Sequence, residues 1–223
     1  MSRTTPGDPA GPAPIGLADL AGLIFHRDPG ARVLVALAGA PCSGKSTTAD
    51  SLRALIEERQ PGTAAILPMD GYHLDDTLLK ARGMRARKGS PGTFDVGGLA
   101  AMLCRLRRNE EDEIFVPVFD RDIEIARGAA RAVPRACRIV LVEGNYLLLD
   151  RDPWRALRRH FDISVTVHAP MAEILRRMDQ RWISFGLSAA DRSARIREND
   201  LPNAETVMTG SVPAEFVVST LGN

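Results

Sequence analysis

The chain has few lysines, and it lacks the features typical of membrane, secreted or nucleic-acid-binding proteins. Of its 29 basic residues only Lys45, Lys80 and Lys88 are lysines, and the formal net charge is +1. This balance gives no overall positive field for nucleic acid, and no apolar stretch reaches the roughly 18 residues that a membrane span requires. Residues 1–14 lack the apolar core of a signal peptide and are expected to be disordered, whereas residues 15–223 are expected to form one domain.

The most informative segment that is present is the octapeptide GAPCSGKS at residues 39–46, which fits the pattern G-x-x-x-x-G-K-[ST]. It follows an apolar run at 33–38, typical of a strand buried on both faces, and precedes a helical pattern at 46–59. At such a junction the unpaired backbone N–H groups and the helix dipole attract anions. We therefore predict that this P-loop binds ATP. The predicted nucleotide-binding residues are Gly39, Ala40, Pro41, Cys42, Ser43, Gly44, Lys45, Ser46 and Thr47.

Two side chains of the P-loop have specific expected roles. Lys45 can reach the β- and γ-phosphates, and the Ser46 hydroxyl can ligate Mg²⁺. In a chain that contains so few lysines, a lysine at this position is informative. ATP and Mg²⁺ are therefore the expected cofactors.

The cysteines, Cys42, Cys104 and Cys137, show no spacing that is typical of a metal or redox site, so a reduced cytoplasm is the expected compartment. Cys42 lies inside the P-loop. We interpret it as a tolerated small residue, with the alternative that its oxidation blocks phosphate binding.

Strands and helices alternate along the chain, which predicts a mostly parallel sheet with helices on both faces. The predicted strands are 33–38, 64–69, 114–119, 138–142, 163–167 and 214–220, and the predicted helices are 15–27, 46–59, 74–82, 96–108, 171–185 and 189–199. The sequence therefore predicts an α/β fold with the P-loop after its first strand.

Two acidic residues follow predicted strands, Asp70 after 64–69 and Glu143 after 138–142. Ligands of open α/β sheets bind at the carboxyl ends of the strands, where these residues and the P-loop should meet. Phosphoryl transfer needs a carboxylate near the acceptor hydroxyl, and Asp70 is our candidate. Glu143 is expected to orient Mg²⁺ or to assist Asp70.

Four further motifs occur in a familiar order: Asp70–His73, Arg87–Asp95, Pro117–Arg121 and Val142–Tyr146. Together with the P-loop they resemble the phosphoribulokinase/uridine kinase family, over about residues 33–207. The resemblance implies a P-loop kinase fold with a helical lid. It also implies ATP, Mg²⁺ and phosphoryl transfer to a hydroxyl of a sugar, pantothenate-like compound or nucleoside, and a possible homodimer.

The resemblance also implies roles for individual residues. Asp70 matches the family's catalytic base, and Arg177 and Arg181 match its lid arginines. The spacing of four places these arginines on one helix face, although the adjacent Arg176 is an alternative. The residues implied to lie near the acceptor are Tyr72, His73, Phe94 and Arg121, and 199–203 resembles a segment near the adenine.

The acceptor stays open because the motifs depart from those of single members. Pantothenate kinases usually have Tyr-Ser-His where this chain has Phe119-Asp120-Arg121, and uridine kinases usually have Asp-Ser-Phe-Tyr where it has Asp70-Gly71-Tyr72-His73. The cationic segment Arg82–Lys88, with Arg121, would suit an acidic or phosphorylated acceptor, or would form a lid that contacts only ATP.

Two other functions are alternatives to a kinase. A GTPase-like switch would need an Asn-Lys-x-Asp segment, and none of the lysines follows an asparagine. A nucleotide-binding protein without catalysis would have no need of Asp70 on the acceptor side. A metabolite kinase is therefore the leading prediction, and a regulatory NTPase without an acceptor is the alternative.

Overall fold

The computed structural model describes residues 11–28 and 30–220 of the chain. The strands of these residues are β1 (Ala13–Pro14), β2 (Val33–Ala38), β3 (Ala64–Pro68), β4 (Glu113–Asp120), β5 (Ile125–Pro134), β6 (Ile139–Gly144), β7 (Ile163–His168) and β8 (Phe216–Ser219). The helices are α1 (Leu17–His26), α2 (Lys45–Arg59), α3 (Asp76–Ala81), α4 (Val96–Arg108), α5 (Met171–Ser184), α6 (Ala189–Arg195) and α7 (Leu201–Gly210), with a π-turn at Ile196–Asp200. No helix among them is long and apolar enough to cross a membrane.

A parallel sheet forms the centre of the fold. Its strand order is β1-β8-β7-β2-β6-β3, and every pair of neighbours is parallel. Glu143 of β6 lies in register with Leu37 of β2 on one side and Pro68 of β3 on the other. The carboxyl ends of β2, β3 and β6 therefore meet at one edge, as the sequence analysis predicted.

Strand β2 explains why helices cover both faces of this sheet. All of its residues are buried, and successive side chains point to opposite faces. Leu34 packs in a cluster with Leu99 of α4, whereas Val35 packs in a second cluster with Leu20 of α1 and Leu52 of α2. The predicted α/β P-loop fold, with helices on both faces, is confirmed.

The strand predicted at 114–119 exists as β4, but it lies outside the parallel sheet. It pairs antiparallel with β5, and together they form a separate two-stranded ribbon. Strand β5 was not predicted because its segment IARGAARAVP has few large apolar residues and is mostly exposed. This ribbon carries Arg121 in the turn that joins its strands.

Three other sequence predictions need correction. Ala13 and Pro14, expected to be disordered, pair with β8, and residues 1–10 of that segment lie outside the described residues. The helix predicted at 189–199 ends at Arg195 and continues as the π-turn, and α7 was not predicted at all. Apart from this boundary, the division of the chain into a disordered N-terminal segment and one domain that extends to residue 223 stays a prediction.

Candidate active site

The P-loop runs from the end of β2 to the start of α2, where Gly44 has a φ of 98° and Cys42 a φ of 62°. Gly39 is required for a different reason: a Cβ there would lie 2.4 Å from the carbonyl oxygen of Val167. No side chain of the described residues caps the N-terminus of α2, and the Lys45 ammonium donates a hydrogen bond to the Ala40 carbonyl over 2.9 Å. This geometry leaves backbone N–H groups for an anion.

A cavity of about 480 Å³ lies beside the loop and brings most of the predicted site residues together. From the loop, it is lined by Pro41, Cys42, Gly44, Lys45, Ser46 and Thr47; from elsewhere, by Asp70, His73, Phe94, Arg121, Glu143, Arg177 and Arg181. Gly39, Ala40 and Ser43 instead line a second cavity of about 330 Å³ behind the loop.

Asp70 lies in the 3₁₀ turn Met69–Tyr72 that follows β3. The Arg121 guanidinium donates a hydrogen bond to Asp70 Oδ2 over 2.6 Å. Burial alone would raise the pKa of Asp70, but the charges of His73, Arg121, Lys45 and Arg181 outweigh it and hold the pKa below its ordinary value. Asp70 is therefore an ionised carboxylate at neutral pH, which a general base must be.

Glu143 behaves in the opposite way. Burial, and then the negative charge of Asp70, raise the pKa of Glu143 to about 7, although Lys45, Arg121 and the Ser46 hydroxyl act against this. Burial also lowers the pKa of Lys45, against the attraction of Glu143 and Asp70. The two acids at the strand ends thus differ in protonation, and Glu143 takes up the proton first.

Glu143 and the Ser46 hydroxyl are the residues present that fit a magnesium ion. They supply hard oxygen donors beside the phosphate loop, and Ser46 lies close enough to Glu143 to influence its pKa. No group of three or more His, Cys, Asp or Glu side chains in 11–28 and 30–220 forms a metal site. This agrees with a cation that takes one or two protein ligands and completes its shell with phosphate and water.

Next to Asp70, His73 is fixed in place. Its Nδ1 lies 2.7 Å from the Asp70 carbonyl oxygen, and its ring packs 4.1 Å from Phe94 and 4.5 Å from Phe119, measured between ring centroids. Burial lowers the pKa of His73, against the charge of Asp70. A neutral imidazole therefore faces the cavity at pH 7.

Tyr72, expected near the acceptor, does not line the cavity with His73, Phe94 and Arg121. Its side chain packs in the core rather than along the cavity, and its hydroxyl is buried without a hydrogen-bond partner in the described part of the chain. Tyr72 ends the 3₁₀ turn that contains Asp70, and its side chain packs in the same core cluster as Leu99 of α4. Burial raises its pKa well above the ordinary value.

The structure separates the three arginines that were considered for the lid. Arg176 is exposed and pairs with Glu173, so it does not line the cavity. Arg177 lines it and also donates hydrogen bonds to the carbonyls of Cys42 and Thr220, which ties α5 to the P-loop. Arg181 lines it further along α5. Arg177 and Arg181 are thus the pair that faces the site.

Within the cationic segment Arg82–Lys88, only Lys88 lines the cavity. Its ammonium pairs with Asp76 at 2.8 Å, and it packs over the Phe119 ring at 5.0 Å. The Lys88 carbonyl accepts a hydrogen bond from Asn199 over 2.9 Å. This segment is therefore anchored against the π-turn, and Asp76 of α3 pairs with two of its cations, Arg85 and Lys88.

The cavity wall extends beyond the predicted site residues to Trp182, Phe185 and Arg195. Asn199, Asp200 and Asn203, from the segment that resembles one near the adenine, also line it. Arg195 gave no sequence signal because it lies fourteen residues beyond Arg181 and on a different helix. The π-turn carries Asn199 and Asp200, whereas Trp182 lies on α5 and Arg195 on α6.

Comparisons with known proteins agree with this geometry. A 194-residue stretch is 37% identical to the uncharacterized protein YggC of Escherichia coli and covers 86% of this chain and 79% of that protein. The "putative uridine kinase C227.14" of Schizosaccharomyces pombe is 31% identical over 197 residues, which cover 85% and 84% of the two chains. The solved "putative fructose transport system kinase" from Silicibacter sp. TM1040 superposes with a TM-score of 0.85 at 40% identity, covering 92% of this chain and 99% of that one. No family model matches the chain.

The fold and the site define a P-loop kinase. The chain belongs to the phosphoribulokinase/uridine kinase family, as its motifs predicted. It is an ATP-dependent enzyme that phosphorylates a small metabolite, and the prediction of a small-molecule kinase is confirmed.

Proposed function

We propose that this kinase transfers the γ-phosphoryl group of Mg²⁺-bound ATP to an alcohol hydroxyl, with Asp70 as the general base. The observation that carries the proposal is the convergence of Lys45, Asp70, Glu143 and Arg181 on one cavity at the carboxyl ends of β2, β3 and β6. These groups supply a phosphate ligand, an acceptor-side carboxylate, a metal ligand and a cation for the transferred group.

The ionised Asp70 is suited to accept the acceptor's hydroxyl proton. As the acceptor oxygen bonds to the γ-phosphorus, the bond from that phosphorus to the bridging oxygen of ADP breaks, and the proton passes to Asp70. Lys45 and Arg181 lie where they can neutralise charge on the transferred group. Arg177 holds α5 against the P-loop, so that Arg181 is presented to the same space.

Ser46 and Glu143 would hold the Mg²⁺ ion, which would neutralise phosphate charge when bound. Glu143 must be ionised for this role, and its raised pKa means that metal binding releases a proton near neutral pH. His73, Phe94 and Arg121 form the acceptor side. The cytoplasmic location, a homodimer, and the absence of nucleic-acid and membrane partners stay predictions.

A screen of ATP consumption tests the proposal. Uridine and fructose enter because of the relatives' names, and pantothenate and phosphorylated sugars enter because of the motifs. A kinase turns over ATP rapidly only with the right acceptor, and the phosphorylated product is identified by mass spectrometry. Lys45→Met should abolish this turnover, whereas Lys80→Met, which changes an exposed lysine of α3, should not.

The alternative, a regulatory NTPase without an acceptor, makes a different prediction. It would hydrolyse ATP slowly and at the same rate whichever metabolite is added. That result, with ADP and phosphate as the products throughout, would contradict the proposed function.

A further inference from the structure

Two arginines flank one tryptophan in the part of the cavity wall that α5, α6 and the π-turn form. The guanidinium carbons of Arg181 and Arg195 lie 5.3 and 4.3 Å from the centre of the Trp182 ring. Trp182 Nε1 donates a hydrogen bond to Asp200 Oδ2 over 2.5 Å, which fixes the indole. All four residues line the cavity. The tryptophan therefore holds two cations at the edge of the substrate space.

These two cations differ from the others of the site. Arg177, Lys88 and Arg121 each form an ion pair, with Glu173, Asp76 and Asp70 respectively. Within residues 11–28 and 30–220, the guanidinium groups of Arg181 and Arg195 form neither an ion pair nor a hydrogen bond. Unpaired guanidinium groups that face a cavity are well suited to bind a carboxylate or a phosphate.

The position of the pair indicates which ligand it serves. Arg181 is among the charges that act on Asp70, and both arginines act on Asp200, whose pKa burial raises. Arg181 is thus close enough to both Asp70 and Asp200 to act on their charges, while the P-loop already provides ligands for the ATP phosphates. Arg195 lines the same cavity as Asp70 and His73, so an acceptor whose hydroxyl reaches Asp70 shares that cavity with the Arg195 guanidinium.

We propose that the acceptor is a small hydroxylated anion, and that Arg195, together with Arg181, binds its carboxylate or phosphate group while its hydroxyl contacts Asp70. This inference rests on the proposed kinase function and names the class of its substrate. Arg195 is a specificity-determining residue, and Trp182 and Asp200 are positioning residues. They hold the guanidinium in place before the acceptor arrives, which reduces the entropic cost of binding.

Acceptors that come in charged and neutral versions test the proposal. To test a carboxylate, we compare D-glycerate with glycerol and pantothenate with its alcohol panthenol. To test a phosphate, we compare fructose 6-phosphate with fructose. The wild-type enzyme should use the anionic member of at least one pair at least about tenfold more efficiently in kcat/KM. Loss of a charge-assisted hydrogen bond should raise the KM of Arg195→Gln for that anion about tenfold or more, with the KM for ATP unchanged.

Arg197→Gln is the matched control, because Arg197 is an exposed arginine of the π-turn that pairs with Glu198 and does not line the cavity. It should behave as the wild type, and Arg195→Lys should recover part of the lost affinity for the anion. Equal use of both members of every pair, or an Arg195→Gln variant with a raised KM for ATP only, would overturn the proposal.

The failure of the proposed function gives a separate result. If no acceptor raises ATP consumption, the kinase assignment of this site fails first. Calorimetry of the same paired compounds, with a non-hydrolysable ATP analogue present, then tests the inference alone. Binding of an anion that Arg195→Gln weakens and Arg197→Gln leaves unchanged supports it, and anion binding that is the same in both variants contradicts it.

Discussion

The Arg121 guanidinium bonds to Asp70 Oδ2 over 2.6 Å, so the turn of the β4–β5 ribbon places a cation directly on the candidate base. The contact has two consequences. It lowers the proton affinity of Asp70, and it takes up Oδ2 while Oδ1 accepts no hydrogen bond from the described residues. The acceptor hydroxyl can therefore bond to Oδ1 while Arg121 holds Oδ2.

Arg121→Gln should raise the pKa of Asp70, because it removes one of the cations that hold this pKa down. The measurement is an NMR titration of the Asp70 carboxyl carbon, assigned with an Asp70→Asn sample. Arg127→Gln is the control, since Arg127 pairs with Asp120 on the same ribbon and does not line the active-site cavity. An unchanged titration midpoint in Arg121→Gln would show that the ion pair does not form in solution.

Glu143→Gln should make the ligand-free protein more stable above neutral pH. The folded protein holds the Glu143 proton up to about pH 7, whereas the unfolded chain releases it near the ordinary value of 4.5. Folding stability is therefore lost as pH rises through this window, and glutamine avoids the loss. We expect Glu143→Gln to exceed the wild type by about 1 kcal/mol or more at pH 8, with a smaller difference at pH 5.

Denaturant unfolding at the two pH values, without nucleotide or metal, measures this difference. Glu58→Gln changes an exposed carboxylate of α2 and should leave the pH dependence as it is. A Glu143→Gln variant that is less stable than the wild type at pH 8 would mean that Glu143 is charged and well paired in the folded state.

Arg177→Ala and Arg181→Ala should fail in different ways. Arg177 bonds to Glu173, to the Cys42 carbonyl and to Thr220, so its loss should lower the free energy of unfolding by about 1–3 kcal/mol and weaken ATP binding. Arg181 makes no such contacts in the described chain, and its loss should lower kcat with little effect on stability. Thermal unfolding and steady-state kinetics separate the two effects, and identical behaviour of the variants would refute the distinction.

Cys42→Gly, at little cost in stability, separates the interpretation of Cys42 as a tolerated small residue from the alternative that its oxidation blocks phosphate binding. Glycine relieves a left-handed backbone that costs other residues about 1–2 kcal/mol, but it adds about 0.5–1 kcal/mol of entropy to the unfolded chain. The net change should therefore stay within about 1 kcal/mol. A tolerated small residue predicts that peroxide leaves ATP binding unchanged in all three proteins, whereas the alternative predicts weaker binding to the wild type and to Cys104→Ser, and not to Cys42→Gly. Unchanged wild-type affinity after peroxide would rule out Cys42 as the sensitive thiol.

The elements that could be predicted from the sequence are those whose hydrophobic pattern matches their burial in the structure. Strands β2 and β6 are continuous apolar runs because helices cover both their faces, and the P-loop between β2 and α2 follows a fixed spacing. Strand β5 gave no such pattern, since an exposed ribbon needs no apolar face, and α7 begins with Leu201-Pro202 directly after the π-turn.

The candidate site was predictable where a charged residue lies at or shortly after the carboxyl end of a strand, as for Lys45, Asp70 and Glu143. It was not predictable where the direction of a side chain decides whether the residue lines the cavity. Tyr72 follows Asp70 by two residues and turns into the core, whereas His73 turns toward the cavity. Arg195 reaches the site only through the packing of α5, α6 and the π-turn, which no local pattern encodes.

The central claim is that Asp70 serves the acceptor and not ATP. The most direct test measures phosphoryl transfer to the acceptor found in the screen, together with MgATP affinity, for the wild type, Asp70→Asn and the exposed control Asp122→Asn. The account predicts that Asp70→Asn lowers kcat by about a hundredfold or more while the affinity for MgATP stays within about twofold, and that Asp122→Asn matches the wild type. An Asp70→Asn enzyme that transfers phosphate at the wild-type rate, or that loses ATP binding to the same extent as turnover, would contradict it.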